Sequence, residues 1–535
     1  MDVGLILQMM LRSRAEAIAA LKGHAFDILV VGGGITGSGV ARDAALRGLR
    51  VALVEQDDFA SGTSSRSSRL VHGGVRYLEH GHLRLVFESS AERRLLLRLA
   101  PHLVRPLQFT WPVYEGARIA RWKLGAGLAL YDALALFRNV GRHARLARNA
   151  VMAREPRLRE DHLLGGATYY DASTDDARLT LANALDAAAQ GAAVANHVRA
   201  DEILDGTRGE AGAVVTDVLT GETFTVRARV VVRAVGPWTG KRVRGSTGVH
   251  VSVPRHRLGN VAALTLSAPQ DGRVMFALPA GAFAIIGTTE SPTTVPPDEV
   301  RATEADVAYL LEAANHYFPE ARLTRDDVVS AWAGVRPLVA SSGTLGSASR
   351  EHAVTTAGRV VTVTGGKLTT YRVMADDVVR AAGRVLGARL PRTLTRTRPL
   401  PGGDVGDIEL EQQRIERETG LPAPTAEWLV RAYGSRWPHV RGAMFTSGCG
   451  DTRLAAGLPY LAAEVAHAVT HEMAMTIGDV LVRRTHAAFE MADQARALAP
   501  QVAALMAPLL GWDAVRERAE VERYRADADR MFRIG

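Results

Sequence analysis

The sequence predicts an α/β chain: a βαβ start, a β-rich and mainly antiparallel middle, and a C-terminal helical domain. Three observations lead there. A short β-branched strand near the N-terminus runs straight into a glycine-rich turn. Alternating strands broken by Gly and Pro fill the middle of the chain. Past a Pro/Gly linker the apolar period becomes helical. At 535 residues, 47% hydrophobic and 23% charged, the chain has the length and composition for roughly two or three domains with sizeable cores.

The first strand is Phe26-Asp27-Ile28-Leu29-Val30-Val31, followed at once by Gly32-Gly33-Gly34-Ile35-Thr36-Gly37. A helical pattern then runs to Arg47, with Gly48 as its stop, and Val51-Ala52-Leu53-Val54-Glu55 is the next strand. Each glycine of Gly32-x-Gly34-x-x-Gly37 has its own reason. Gly32 permits the tight turn, Gly34 lets the backbone approach a pyrophosphate, and Gly37 lets helix and strand pack closely. The free N–H groups and dipole of the helix start then hold the phosphates. Glu55 stands where a carboxylate meets ribose hydroxyls and disfavours a 2′-phosphate. This marks a dinucleotide site without separating FAD from NAD.

Residues 174–190 read as a helix with its N-cap at Thr174 or Asp175. Ala213–Val218 and Thr223–Val235 alternate around Thr220-Gly221-Glu222 as a hairpin, and 250–290 is again β-like. Val360–Val363 is a strand, Gly365-Gly366 a turn, and a helix follows from about Thr369 to Leu386. Pro399-Leu400-Pro401-Gly402-Gly403 is a linker, beyond which 409–418, 425–434, 460–475, 476–496 and 511–532 carry a helical pattern.

Net charge is +8, with 65 Lys+Arg against 57 Asp+Glu, and lysine occurs only at Lys22, Lys123, Lys241 and Lys367. The charge favours an anionic partner, either a phosphorylated substrate or an acidic membrane surface. Basic residues are spread along the chain with no zinc-finger or RNP-like motif, which argues against nucleic acid, and no metal site is expected. Cys449 is the single cysteine, so an internal disulfide is excluded and the chain reads as cytoplasmic. Its setting, Ser447-Gly448-Cys449-Gly450, reads as a turn. Met1–Gly23 reads as a short amphipathic helix rather than a signal peptide, with Leu5, Met9, Ile18 and Leu21 against Arg12, Arg14 and Lys22. No apolar stretch reaches the length of a membrane span.

A second constellation follows the βαβ unit: Gly62-Thr63-Ser64-Ser65-Arg66-Ser67-Ser68-Arg69, then His72-Gly73-Gly74-Val75-Arg76-Tyr77-Leu78-Glu79-His80. With these stretches the chain resembles the FAD-dependent glycerol-3-phosphate dehydrogenase family. The likeness extends through Asp175-Asp176-Ala177-Arg178-Leu179, Ile286-Gly287-Thr288-Thr289, Gly334-Val335-Arg336-Pro337-Leu338 and Gly365-Gly366-Lys367-Leu368-Thr369-Thr370-Tyr371-Arg372. It covers roughly residues 26–388, and the helical tail is similar to that family's C-terminal domain.

The resemblance implies a three-layer, Rossmann-like FAD-binding domain over 25–75, 150–240 and 335–388, and a mainly antiparallel cap over 76–149 and 241–334. Residues 1–24 form an extension and 398–535 the helical domain. It implies FAD held by Gly32, Gly33, Gly34, Gly37, Glu55, Thr63, Ser64, Ser65, His72, Gly73, Gly74, Gly236, Gly366, Lys367, Leu368 and Thr369. Arg76, Tyr77, Arg336 and Lys367 would bind glycerol 3-phosphate, the two arginines holding its phosphate, where a planar fork suits a dianion, and Lys367 lying near flavin and substrate. His250 would take the hydroxyl proton as hydride leaves carbon, with Arg336 and Lys367 completing the catalytic set. Two positions depart from the family pattern: Thr247 replaces a lysine, and Arg233 replaces an asparagine.

The implied reaction is oxidation of glycerol 3-phosphate to dihydroxyacetone phosphate, with electrons passed to a membrane quinone. The rival readings are an oxidase that makes hydrogen peroxide, an amino-acid or sarcosine-type oxidase, and a flavin-binding module without catalysis. For the quinone route, Arg118–Lys123, an apolar run through Leu124, Leu128, Leu130, Tyr131, Leu134, Leu136 and Phe137, and Arg138, Arg142 and Arg145 read as a helix lying in a membrane surface, with Trp122 at one end. The expected location is peripheral, on the inner face of the cell membrane. A homodimer is left open.

Overall fold

The expected βαβ unit is present as β1 (Ala25–Val31), α1 (Ile35–Leu46) and β2 (Val51–Val54), with Val30 level with Leu53. The computed structural model describes residues 13–136, 139–207, 210–238, 243–339 and 351–535, without the side chains of residues 76, 79, 80, 243, 244 and 337–339. Two sheets organise the chain.

The first sheet has eight strands. Its parallel part runs β8 (Val360–Gly365), β4 (Thr223–Arg233), β1, β2 and then Ala193–Ala195. Strand His352–Ala357 lies antiparallel on β8, and Ala211–Asp217 and Val198–Asp205 extend β4 as a meander. Helices α1, α3 (Asp176–Ala189) and α4 (Tyr371–Leu386) cover one face, where Val40, Ala44, Leu181 and Val378 bury against Ile28, Val30 and Val232. Strands buried on both faces read as continuous β-branched runs, which is how they appear in the sequence.

The other face is closed by the helix Arg14–Gly23, whose Ile18 and Leu21 pack on Leu29, Val215 and Val226. A capping box at Ser13 and Glu16 starts it, and Arg14 pairs with Asp217 at 2.7 Å. The N-terminal segment is therefore the third layer of this domain from Arg14 onward. Leu5, Met9 and Arg12 lie outside the described residues.

The second sheet has ten strands and includes β3 (Leu163–Thr174), β5 (Val243–Pro254), β6 (Phe283–Gly287) and β7 (Ser330–Val339). Its described pairings are antiparallel except that of Ala263–Ser267 with Val104–Tyr114. β3 falls in the 150–240 stretch and pairs in this second sheet, and β7 runs across residue 335. β5 sets the site's geometry: His250 pairs with Gly287 of β6 and Trp332 of β7, and Ser246 is level with Arg336.

The helix of the 118–145 segment is buried along one side and exposed along the other. α2 (Arg121–Leu134) turns Leu124, Leu128 and Tyr131 into the core. The Tyr131 hydroxyl donates to Asp171 at 2.7 Å, and Arg93 pairs with the same carboxylate. A burial this polar and this well partnered fixes that side of the helix in the fold. Trp122, Leu130, Leu136 and Val140 remain exposed, while Phe137 and Arg138 lie outside the described residues.

The C-terminal part is helical at Ile408–Thr419, Ala423–Tyr433, Ala463–Glu472 and Ala514–Phe532, as expected. Residues 476–496 do not form one helix. A π-turn at Asp479–Arg484 and a short helix at Ala487–Glu490 replace it, and Gln494 and Ala495 take left-handed φ values of 53° and 58°. Here tertiary charge pairing overrides local propensity: Arg483 and Arg484 both reach Asp58 of the first domain, at 2.6 and 2.7 Å. Helices Trp437–Thr446 and Ala499–Leu510 add to these; the second begins beside Pro500 and contains Pro508, which breaks the helical signal in its sequence.

Candidate active site

A cavity of about 570 Å³ runs along the carboxyl ends of β1, β4 and β8 and under the second sheet. Its floor is the glycine turn. Gly32 has φ +108°, and a Cβ there would lie 2.6 Å from the Ala234 carbonyl oxygen. At Gly37 a Cβ would lie 1.8 Å from the Gly32 oxygen, so α1 sits against the turn only because that side chain is absent. At Gly34, which lines the cavity, the one near atom is Ser64 Oγ at 3.2 Å. Gly32 and Gly37 thus serve the fold, and Gly34 leaves room for a ligand.

Glu55 is buried at the end of β2, with Oε2 accepting from Gly33 N at 2.6 Å and Oε1 from Asp57 N at 3.0 Å. Burial outweighs these bonds and pushes its carboxyl up to about 7. Ribose hydroxyls are the donors such a carboxylate lacks. The Ser64 hydroxyl accepts from Ile35 N at 3.0 Å, at the helix start where phosphate would sit. Thr63 donates to the Val335 carbonyl at 2.6 Å and ties this loop to β7.

The expected cofactor residues divide into two groups. Gly32, Gly34, Glu55, Thr63, Ser64, His72, Gly74, Gly236, Gly366, Lys367, Leu368 and Thr369 line the cavity. Gly33, Gly37, Ser65 and Gly73 are not among its lining residues. A Cβ on Gly33 would meet Glu55 and Phe59, and one on Gly73 would meet the Tyr131 hydroxyl at 2.2 Å. The glycine cradle with N–H donors, the buried acid at the end of β2 and the length of the cavity fit an extended dinucleotide.

Two walls carry the cationic and imidazole side chains. On one, Lys367 sits between β8 and the 3₁₀ turn Leu368–Thr370, its Nζ 3.7 Å over the ring of buried Tyr77 and 3.4 Å from Ser89 Oγ. Arg76 lies in the 3₁₀ turn Val75–His80, and its side chain is outside the description. On the other wall, the half-buried Arg336 is held by Glu290 Oε1 at 3.2 Å and Thr288 Oγ1 at 3.3 Å. A Cβ on the facing Gly248 would come within 3.0 Å of that guanidinium.

His250, on the same strand as Gly248, is buried, and its Nε2 lies 2.8 Å from Ser68 Oγ. Its ring stacks on Trp332 at 5.4 Å, and Gly287 is the position that makes room for it. Burial, then the nearby Arg336 and Arg69 cations, bring its pKa down to about 3, so the ring is neutral. Sequence reasoning gave no role to Ser68, Glu290, Trp332 or Arg69. Ser68 and Arg69 stand inside the quoted serine-rich loop and Glu290 directly follows Ile286–Thr289, so adjacency to motifs was the available signal.

The two departures fall in different places. Gly248 and His250 face the cavity while Val249 is buried on the opposite side of β5, so strand alternation puts Thr247 on that far face. Arg233 does line the cavity, at the end of β4 beside Val31 and Thr362.

Fold and site together define a flavoprotein oxidoreductase, and comparison with known proteins agrees. Residues 27–372 match the family described as FAD dependent oxidoreductase, and 393–517 match the C-terminal domain of alpha-glycerophosphate oxidase. The chain is 38% identical over 533 residues to glycerol-3-phosphate dehydrogenase 2 of Mycobacterium bovis, spanning 96% of this chain and 90% of that one. It is 37% identical over 532 residues to the mitochondrial glycerol-3-phosphate dehydrogenase of Homo sapiens, spanning 94% of this chain and 72% of that one. The solved glycerol-3-phosphate dehydrogenase of Bacillus halodurans, complexed with FAD, matches with a TM-score of 0.81 at 30% identity over 98% of both chains. The chain belongs to the FAD-dependent glycerol-3-phosphate dehydrogenase family.

Proposed function

We propose that this enzyme oxidises sn-glycerol 3-phosphate to dihydroxyacetone phosphate and passes the electrons to a membrane quinone. The observation that supports this best is the convergence of Arg336, Lys367 and His250, far apart in sequence, on one cavity beside the glycine cradle. FAD, when bound, supplies the acceptor for the hydride that leaves C2. Gly34 and the N–H groups at the start of α1 would hold its pyrophosphate, and Glu55 its ribose.

Arg336 is oriented by Glu290 and Thr288 and presents a planar fork to a phosphate. Lys367 adds a second cation from the opposite wall. His250 takes the hydroxyl proton on Nε2, whose lone pair the substrate hydroxyl reaches by displacing Ser68 Oγ, 2.8 Å away. Its basicity is low in the free protein because burial and two arginines oppose a further positive charge. A phosphate dianion on Arg336 offsets one of those cations, so substrate binding itself strengthens the base.

A quinone is confined to lipid, so its reductase gains by docking there. The exposed Trp122, Leu130, Leu136 and Val140, with Arg118, Arg121 and Lys123 alongside, support reversible attachment to an anionic membrane surface at the inner face of the cell membrane. Among the described residues no helix is long and apolar enough to cross a membrane.

The match of the C-terminal region to an oxidase domain favours a second reading, transfer of electrons to oxygen. Reduced enzyme mixed with a short-chain quinone or with air tests the choice. Fast reoxidation by quinone without peroxide supports the dehydrogenase; stoichiometric peroxide with quinone inert supports the oxidase.

A further inference from the structure

The loop that carries Ser68 is held from an unexpected direction. Ser67 is anchored to Asp176, its Oγ donating at 2.6 Å and its N at 3.2 Å. Ser67 Oγ in turn accepts from Arg69 N at 3.0 Å. Arg69 takes φ +54°, a left-handed conformation that a residue with a side chain keeps only when its surroundings over-determine it.

Those surroundings come from the C-terminal domain. The Arg69 guanidinium donates to His486 Nδ1 at 3.2 Å, and His486 Nε2 lies 3.0 Å from Asp175 Oδ2. Nδ1 is therefore the acceptor and Nε2 carries the proton it gives to Asp175. The same guanidinium lies over the rings of Phe489, at 4.9 Å, and Trp332, at 6.0 Å. The Phe489 ring meets Trp332 edge-on at 5.2 Å, and its carbonyl accepts from Ser330 Oγ at 2.9 Å. Trp332 is the residue on which His250 stacks. Arg69 also faces Asp176 and Glu490, and Glu490 is bonded to Tyr460 at 2.7 Å, so its charge is compensated by acids from both domains.

Two short connections thus end on the two sides of the imidazole. One runs Asp175, His486, Arg69, Ser68; the other runs Phe489, Trp332. The Ser68 and His250 ends lie in the matched 27–372 region, and His486 and Phe489 lie in the matched 393–517 region. We propose that the C-terminal helical domain completes the active site: His486 and Phe489 are positioning residues that hold Arg69, and through it Ser68, against His250. Ser68 then fixes the ring of His250 by holding Nε2 at the place the substrate hydroxyl takes when it displaces the serine and gives up its proton. This rests on His250 being the base, as argued above.

The test is anaerobic stopped-flow reduction of the FAD-loaded enzyme by glycerol 3-phosphate, with His486→Ala, His486→Gln and His250→Asn side by side. A displaced base costs on the order of 10- to 100-fold, so His486→Ala should lower the limiting reduction rate by about that factor while FAD content and substrate affinity stay as in the wild type. His486→Gln should recover most of the rate, because its amide oxygen can accept from Arg69 and its NH₂ can donate to Asp175. Wild-type reduction by His486→Ala would overturn the proposal. So would a joint fall of rate, FAD content and thermal stability that His486→Gln fails to restore, since that is the signature of a merely structural contact. His250→Asn separates the two levels. If it reduces at the wild-type rate, the base assignment itself is wrong; if it is slow while His486→Ala is fast, only the positioning role falls.

Discussion

Replacing Gly34 by alanine separates the cofactor cradle from the fold. Gly34 has φ −71°, which any residue adopts, and its added Cβ would meet only the flexible Ser64 Oγ at 3.2 Å. The cost to the apoprotein is therefore small, on the order of 1 kcal/mol, comparable with a poorer N-cap. With FAD present the methyl group occupies the space through which the pyrophosphate reaches the N–H groups of α1. Loss of one charge-assisted hydrogen bond costs about 2 kcal/mol, or roughly 30-fold in Kd. Gly37→Ala is the control, since its Cβ would fall 1.8 Å from a backbone oxygen and must disturb the fold itself. Apoprotein melting and FAD titration read the two effects separately. Gly34→Ala should keep its Tm within a few degrees and weaken FAD, whereas Gly37→Ala should lose both. Wild-type FAD affinity in Gly34→Ala would refute the reasoning.

Glu55 gives a pH prediction. The folded chain holds this proton up to about 7, against an ordinary value of 4.5, so between those values the folded state binds more protons than the unfolded. Apoprotein stability should then fall as pH rises from about 5 to 7, and Glu55→Gln should flatten that slope; an unchanged slope in denaturant titrations would contradict it. Arg336→Lys should lower kcat/KM for glycerol 3-phosphate by about 10- to 100-fold, because a point charge cannot replace the fork, and unchanged kinetics would remove Arg336 from the substrate site. Trp122→Ala with Arg121→Ser should weaken binding to anionic vesicles and quinone-coupled turnover but leave turnover with a soluble dye intact; equal loss with both acceptors would return the segment to a purely structural role.

The first domain was legible because its signals are local. A β-branched run, three glycines and an acid at fixed spacing leave few alternatives, and the residues duly form β1, α1 and β2. What was not legible depended on partners distant in the chain. The run Leu124–Leu136 does not show locally which of its sides is buried, because that depends on Tyr131 finding Asp171 and Arg93. The pattern over 476–496 is helical by period, yet Arg483 and Arg484 are drawn to Asp58 and the helix breaks. The site shows the same division. Motifs place Glu55, Gly34 and Lys367 on the cavity, whereas Ser68 and Arg69 stand out only through contacts with His250, Trp332 and His486, which the fold brings to them. Thr247 stood out as a departure, but a one-residue alternation in β5 turns it away from the cavity.

The most direct test of the central claim is anaerobic mixing of the FAD-loaded protein with sn-glycerol 3-phosphate while the flavin absorbance is followed. The account predicts rapid bleaching by this substrate, none by glycine or sarcosine, and slow bleaching in His250→Asn, by about 10² to 10⁴-fold. An oxidised spectrum that persists with glycerol 3-phosphate, or one bleached by an amino acid instead, would contradict it.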